Sequence, residues 1–363
     1  MRILQLVLAP RLSGAEMLAK GIAIGHQRSG HSVCLASLLP QHGDFEPASS
    51  ELAAQGVTCL FPTRTYSRIG KLLFLYRAIR RFKPDIIFAH STIPALYVRA
   101  LPLSVPIVWV MHSGVNDFKD SNVLQRAERL LSSRAKAVIG VSQKNVDDYL
   151  KEIGEHPSLI VVPNGVDTSR FATNMGRMPA RSPANDSKRI VQIGRYIREK
   201  NHLDTVRAFK RVLELEPDAR LLLCGVLEDA AYHAEVVSLV SELGIGSRVE
   251  VAGPRSNVAE ILCASSAFAM PSSFEAHSIG FLEALASGIP VVANAIPAFS
   301  FAGSFPSVRL VDTADAEVYG RALAEALQQP RAVRPLAGLT LQDTADRYLA
   351  IARQVLGLRV GLR

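Results

Sequence analysis

Short apolar, β-branched runs alternate with helical patterns along almost the whole chain, and that alternation leaves few folds open. In the first half the runs are Ile3–Ala9, Ser32–Ser37, Asp85–Ala89, Ile107–Val110 and Ala137–Gly140. Between them, Ala15–Gln27, Ile69–Phe82 and Asn122–Leu131 carry apolar residues at helical spacing. The second half repeats the scheme with Arg189–Ile193, Arg220–Leu223, Arg248–Val251, Ala267–Met270, Pro290–Ala293 and Val308–Val311. Its first helical stretch, after Asn201, puts Leu203, Val206, Phe209, Val212 and Leu213 on one face and stops at Pro217. Strands so uniformly apolar are covered on both faces, and strands joined through helices run parallel. The expectation is an α/β protein of two doubly wound domains, with ligands bound beyond the carboxyl ends of the strands. Ala172–Lys188, rich in small, polar and proline residues, reads as the linker between them.

Of the 363 residues, 48% are hydrophobic and 20% charged, enough apolar surface for full cores and too much for a disordered chain. Cys34, Cys59, Cys224 and Cys263 form no CxxC pair and no metal-spaced cluster with histidine, so they read as reduced thiols of a cytosolic protein. Ile3–Ala9 is too short for a signal core and meets Pro10 and Arg11 at once. The uncharged run Ala284–Ser307 is long enough to cross a bilayer, but Gly288, Pro290, Pro297, Gly303 and Pro306 interrupt it. The net charge of +8 is concentrated in residues 1–165, which hold 19 Lys/Arg against 12 Asp/Glu. Arg64–Lys83 alone contains Arg64, Arg68, Lys71, Arg77, Arg80, Arg81 and Lys83 and no acid. Its apolar stripe of Ile69, Leu72, Leu73, Tyr76 and Ile79 is expected to pack on the sheet. The cations are then either solvated or turned to an anionic membrane surface. No aromatic-interleaved basic motif supports nucleic-acid binding.

Two stretches carry chemistry. The first is "GRYIREKN", Gly194–Asn201, between a strand and a helix. It places Arg195 and Lys200 at the strand's carboxyl end beside a helix start, which suits a diphosphate. By spacing alone they are equally well solvated cations on a connection. The second is "SSFEAHSIGFLEALASGIPVV", Ser272–Val292, with Glu275 in a loop and Glu283 on the next helix. The amides of His277, Ser278, Ile279 and Gly280 open that helix and suit a phosphate. Glu283 has strongly apolar neighbours, and a buried carboxylate without partners is costly. A ribose diol would supply hydrogen bonds; a loop acid and an ordinary helix glutamate are the plain alternative.

E-x7-E after "PSS", followed by "EALASGIPVVA", resembles the retaining glycosyltransferases of the GT-B fold, in particular glycosyltransferase family 4 (group 1). The supporting pieces fall in the same order: "SGAE" (Ser13–Glu16), "GH" (Gly30, His31), "VMHSG" (Met111–Gly114), "VIGVS", "VVPNGVD", "IGRYIREKN", "LLLCG" and "VAGPRSNVAEIL". Together they cover nearly the whole chain. The resemblance implies two Rossmann-like domains facing each other across a cleft. Residues 1–170 would bind the acceptor, 171–188 link, 189–340 bind the nucleotide sugar, and 341–363 form a helix returning toward the first domain. It also implies roles. Arg195 and Lys200 would neutralise the donor diphosphate, and Glu283 would bind the ribose. Amides at Ser278, Ile279 and Gly280, next to His277, would hold the distal phosphate. The turn with Arg255 and Ser256 would approach the base. Gly14 would let its loop come close to the phosphate, His112 would sit by the sugar, and Glu275 by its hydroxyls. The pattern departs at Ala276, Ser278 and Leu227, where the family often has glycine, which leaves the donor's identity open.

The family further implies retention of anomeric configuration by a front-face, ion-pair-like displacement, with His112, Glu275, Arg195 and Lys200 as its catalytic residues. No DxD or other carboxylate cluster suited to magnesium occurs, so no metal and no cofactor is expected. The expected partners are a UDP- or GDP-sugar, a saccharide or lipid-linked acceptor in bacterial envelope polysaccharide or lipopolysaccharide synthesis, and the inner face of the plasma membrane. A GT-B-fold nucleotide-sugar epimerase and a non-catalytic sugar-nucleotide-binding protein are the alternatives. A nicotinamide-dependent oxidoreductase is disfavoured, because no GxGxxG follows a strand.

Overall fold

The structure, a computed structural model, describes residues 1–112, 118, 121–171 and 188–358. Residues 172–187 of the expected linker therefore lie outside the described residues. The chain divides into two compact units, Met1–Gly165 with Gly338–Arg363, and Val166–Ala337.

The first unit begins β1 (Arg2–Val7), α1 (Gly14–Arg28), β2 (Ser32–Ser37), α2 (Glu46–Ala54), β3 (Thr58–Leu60) and α3 (Arg68–Phe82). It continues β4 (Ile86–His90), α4 (Thr92–Ala100), β5 (Ile107–Met111), α5 (Asn122–Leu131), β6 (Ala135–Gly140), α6 (Gln143–Glu152) and β7 (Leu159–Val161). All pairs are parallel, in the order β3-β2-β1-β4-β5-β6-β7. β4 and β5 are buried at every position, which is why they read as unbroken apolar runs. The two strands that pattern reading missed, β3 and β7, are three-residue edge strands, too short to show a period.

The expectation that the Ile69–Ile79 stripe packs on the sheet is half wrong. Leu75, Ala78, Ile79 and Phe82 are buried, and Leu72 packs against the same core. Ile69 and Leu73 are 71% and 53% exposed, with Tyr76 beside them on the outer side. At about 100° per residue, α3 carries two apolar faces about 120° apart, and only one can meet the sheet. Between α4 and α5 lies a buried ion pair. Arg99 Nη1 donates to Glu128 Oε1 at 2.8 Å, both side chains are fully buried, and the guanidinium stacks 5.0 Å from the Trp109 ring.

The second unit runs β8 (Arg189–Ile193), α7 (His202–Leu215), β9 (Arg220–Cys224), α8 (Ala230–Glu242), β10 (Val249–Ala252) and α9 (Val258–Cys263). It ends β11 (Ala267–Met270), α10 (Ile279–Ser287), β12 (Val291–Asn294), β13 (Val308–Val311) and α11 (Ala316–Gln328). Its parallel sheet has the order β10-β9-β8-β11-β12-β13, the doubly wound order again.

α12 (Leu341–Val355) then completes the first unit. Tyr348 stacks on Phe88 of β4 at 5.2 Å, and the Thr344 hydroxyl donates to the Pro163 carbonyl at 3.0 Å. Burial holds His26 of α1 near pKa 4, hence neutral, and its Nε2 lies 2.9 Å from the Ala345 carbonyl. A side chain at Gly165 would put Cβ 2.1 Å from the Thr340 carbonyl oxygen, so only glycine allows this approach. Among the described residues no helix is long and apolar enough to cross a membrane.

Candidate active site

In the second sheet the strand order reverses between β8 and β11, and the loops leaving their carboxyl ends are 194–201 and 271–278. The first loop has a rigid base. Gly194 N–H donates to Cys224 O at 3.0 Å and Tyr196 N–H to Val226 O at 2.9 Å. The buried Tyr196 hydroxyl reaches the carbonyls of Leu223 and Ala252 at 3.0 and 2.9 Å, and burial keeps that phenol protonated. Gly225 makes the closure possible, because a Cβ there would fall 1.7 Å from Gly194 O. Arg195 stands on this base and donates to both oxygens of Glu228 at 2.8 and 3.0 Å.

Lys200 precedes Asn201, whose left-handed backbone (φ 47°) asparagine tolerates better than most residues. Three bonds zip the two loops and their strand together. Asn201 Nδ2 donates to Pro271 O at 3.1 Å, Ser273 N–H to Glu199 O at 3.0 Å, and Gln192 Nε2 to Lys200 O at 2.8 Å. The Lys200 ammonium then pairs with the Glu275 carboxylate. Both cations read as candidates for a diphosphate are thus paired with carboxylates. Glu228, the partner of Arg195, carried no signal in the sequence.

α10 opens after Ser278, whose hydroxyl caps the helix by accepting from Phe281 N–H. The Ile279 and Gly280 amides stand at that opening. His277 is stacked on Phe301 at 5.6 Å, and burial lowers its pKa to about 4. Glu283, one turn further along, is 13% exposed and accepts from Arg170 Nη1 at 2.9 Å. Burial raises its pKa, and Arg170 opposes that rise. Arg255 and Ser256 lie on an exposed turn, where Arg255 pairs with Glu250 at 3.1 Å.

In the first unit His112 follows β5. Its Nε2 lies 2.8 Å from His90 Nδ1, and His90 Nε2 lies 2.7 Å from Gln5 Oε1. Gln5 Oε1 accepts, so His90 carries its proton on Nε2 and offers a bare Nδ1 to His112 Nε2–H. The Nδ1 of His112 is left as an acceptor, buried and without a partner among the described residues. Burial lowers the His112 pKa to about 4, so the ring is neutral. Nothing in the sequence marked Gln5 or His90. Ser113 and Gly114 of the same motif lie outside the described residues. Gly14 is the exposed first residue of α1, where the Ser13 hydroxyl donates to Glu16 in the first turn. None of the four cysteines forms a disulfide, and Cys59 is the one not buried. Among the described residues no three His, Cys, Asp or Glu gather as metal ligands.

Two parallel-sheet Rossmann-like units of this order are the architecture of the GT-B glycosyltransferases. The structure matches that of Anabaena HepE, solved with UDP and glucose, at a TM-score of 0.73 and 18% identity, over 98% of this chain and 95% of that one. Residues 12–170 match the family model of Glycosyltransferase Family 4, and residues 177–335 that of Glycosyl transferases group 1. The chain belongs to these group 1 glycosyltransferases. It is 24% identical over 282 residues to an uncharacterised glycosyltransferase of Methanocaldococcus jannaschii, covering 72% of this chain and 67% of that one. It is 25% identical over 243 residues to the UDP-Gal:α-D-GlcNAc-diphosphoundecaprenol α-1,3-galactosyltransferase of Escherichia coli, covering 62% of this chain and 61% of that one. The match thus spans about two thirds or less of these relatives' lengths.

Proposed function

We propose that the protein moves a sugar from a UDP- or GDP-sugar to a saccharide or lipid-linked saccharide acceptor, with retention of anomeric configuration. The observation that carries this reading is the zipped pair of loops at the switch point of the second sheet. They bring Lys200 against Glu275, and the same two loops carry Arg195 and lead into α10, on which Glu283 lies. In this reading Glu283 accepts from the ribose diol, the Ser278–Gly280 amides hold the distal phosphate, and the Arg255–Ser256 turn approaches the base. As the bond between the sugar's anomeric carbon and the phosphate oxygen breaks, charge builds on the diphosphate. Lys200 and Arg195 stabilise that charge without a metal ion or a cofactor. The acceptor oxygen attacks from the same face, and its proton passes to the departing phosphate oxygen. Glu275 accepts from a sugar hydroxyl. Screening UDP- and GDP-sugars by thermal shift finds the donor, because a ligand at 100 times its Kd stabilises the fold by about 2.7 kcal/mol. With that donor, Glu275→Ala transfers at least ~100-fold more slowly, and the product keeps the donor's anomeric configuration by NMR. Transfer by Glu275→Ala at the wild-type rate refutes the site.

We further propose that the acceptor is presented at an anionic membrane, on its cytoplasmic face, as in synthesis of envelope polysaccharide or lipopolysaccharide. The outer face of α3 supports this: Ile69, Leu73 and Tyr76 are exposed and flanked by Arg68, Arg77, Arg80 and Arg81, with no acid on the helix. Each cation near an anionic surface contributes about 1 kcal/mol. The protein is expected to sediment with phosphatidylglycerol vesicles and not with phosphatidylcholine ones, and Ile69→Ser with Leu73→Ser to abolish it. Equal sedimentation with both lipids contradicts the docking face.

A further inference from the structure

We infer that Arg170 is a positioning residue for Glu283, holding it as an ionised hydrogen-bond acceptor aimed at the nucleoside diol; the inference rests on the donor-site reading above. Arg170 and Glu283 belong to the same unit yet stand far apart in sequence, and a single contact joins them, Nη1 to Oε1 at 2.9 Å. The Arg170 end of the pair is itself well set. Asp167 Oδ1 accepts from the Ser169 amide and hydroxyl at 3.1 and 2.6 Å, Phe171 N–H donates to Thr168 O at 3.1 Å, and the Phe171 ring is buried. The guanidinium keeps 35% exposure while the carboxylate is almost enclosed, 13% exposed. The cation thus stays hydrated while it compensates an anion that has lost most of its water.

Other charges near α10 are turned elsewhere. Glu260 of α9, the helix packed against it, accepts from Asn257 Nδ2 at 3.1 Å. Arg331 donates to Ser287 O at 3.0 Å and Arg334 to the Ala284 and Leu285 carbonyls, all toward the far end of α10. His277, before the helix, is held neutral by burial. Among the described residues Arg170 is the one cation on the Glu283 carboxylate. With Oε1 engaged, Oε2 is the oxygen left for a ligand. A diol donates far more strongly to an ionised carboxylate than to a neutral acid, which is a weaker acceptor.

The sign follows from burial. Desolvation raises the carboxyl pKa and Arg170 lowers it, so removing the cation moves it further up. Below that raised value Glu283 is protonated, and nucleotide affinity falls as pH falls.

The experiment titrates Glu283 by carboxyl ¹³C NMR in the free protein, and titrates UDP and GDP separately from pH 5.5 to 9. It compares wild type, Arg170→Gln, Arg170→Lys and Glu283→Gln. In Arg170→Gln the Glu283 titration moves to higher pH. The Kd of whichever nucleotide binds wild type rises about tenfold for each pH unit below it. Arg170→Lys restores most of the wild-type profile, and Glu283→Gln is weak at every pH. An unmoved Glu283 titration, or a pH-independent loss in Arg170→Gln, overturns the positioning role while leaving the donor site standing. Wild-type affinity in Glu283→Gln overturns the donor-site reading, and this inference with it.

Discussion

Lys200→Ala will slow sugar transfer by about 10² to 10³-fold if, as proposed, the lysine faces the departing diphosphate, the cost of removing one preorganised donor from a site where negative charge develops. Two effects act in the same direction. The ammonium that would face the departing diphosphate is lost, and Glu275, its ion-pair partner, is left as an uncompensated anion in a half-buried loop. The backbone is spared, because the zip between the loops runs through Asn201, Ser273 and Gln192, not through the lysine side chain. Single-turnover rates at saturating donor should therefore drop far more than donor affinity. Lys200→Ala combined with Glu275→Gln should be no slower than the sum of the single losses predicts, since the two groups act as a unit. A Lys200→Ala rate within threefold of wild type removes the lysine from the chemistry.

The largest stability loss is expected at Arg99. Arg99→Leu strands Glu128, fully buried between α4 and α5, and breaking one partner of such a pair costs about 3–5 kcal/mol. The Tyr149 hydroxyl, which donates to the same carboxylate at 3.2 Å, offsets only part of that. Replacing both, Arg99→Leu with Glu128→Leu, should cost much less, because no charge is then left in the core. Trp109 is the chain's single tryptophan and lies against Arg99, so its fluorescence in a urea titration reports on this unit alone. Equal destabilisation by the single and double changes would falsify the account.

The sheets were legible because their strands are buried on both faces. Ser32–Ser37, Arg189–Ile193, Ala267–Met270 and Val308–Val311 have the bounds their sequence pattern gives them. Loops at carboxyl strand ends were legible as places, and a glycine, a cation and a helix start marked them. Partners were not. Arg195 with Glu228, Arg170 with Glu283, and Gln5 with His90 and His112 are joined by folding across long stretches of sequence. A charge at a sequence position says nothing about which distant carboxylate it will meet. The outer stripe of α3 was misread for a related reason. Periodicity shows that a helix is amphipathic, and it does not show how many of its apolar faces find something to cover them.

The return of α12 to the first unit sets an order of assembly. Tyr348, Thr344 and Ala345 close on Phe88, Pro163 and His26, yet all of Val166–Ala337 lies between them in the chain. During synthesis, at about 5–20 residues per second, the first sheet waits on the order of 10 s with α1 and Phe88 uncovered. The second unit, whose residues are contiguous, can close in that interval. The protein therefore finishes its first-made half last, and any truncation before Gly338 leaves that half open.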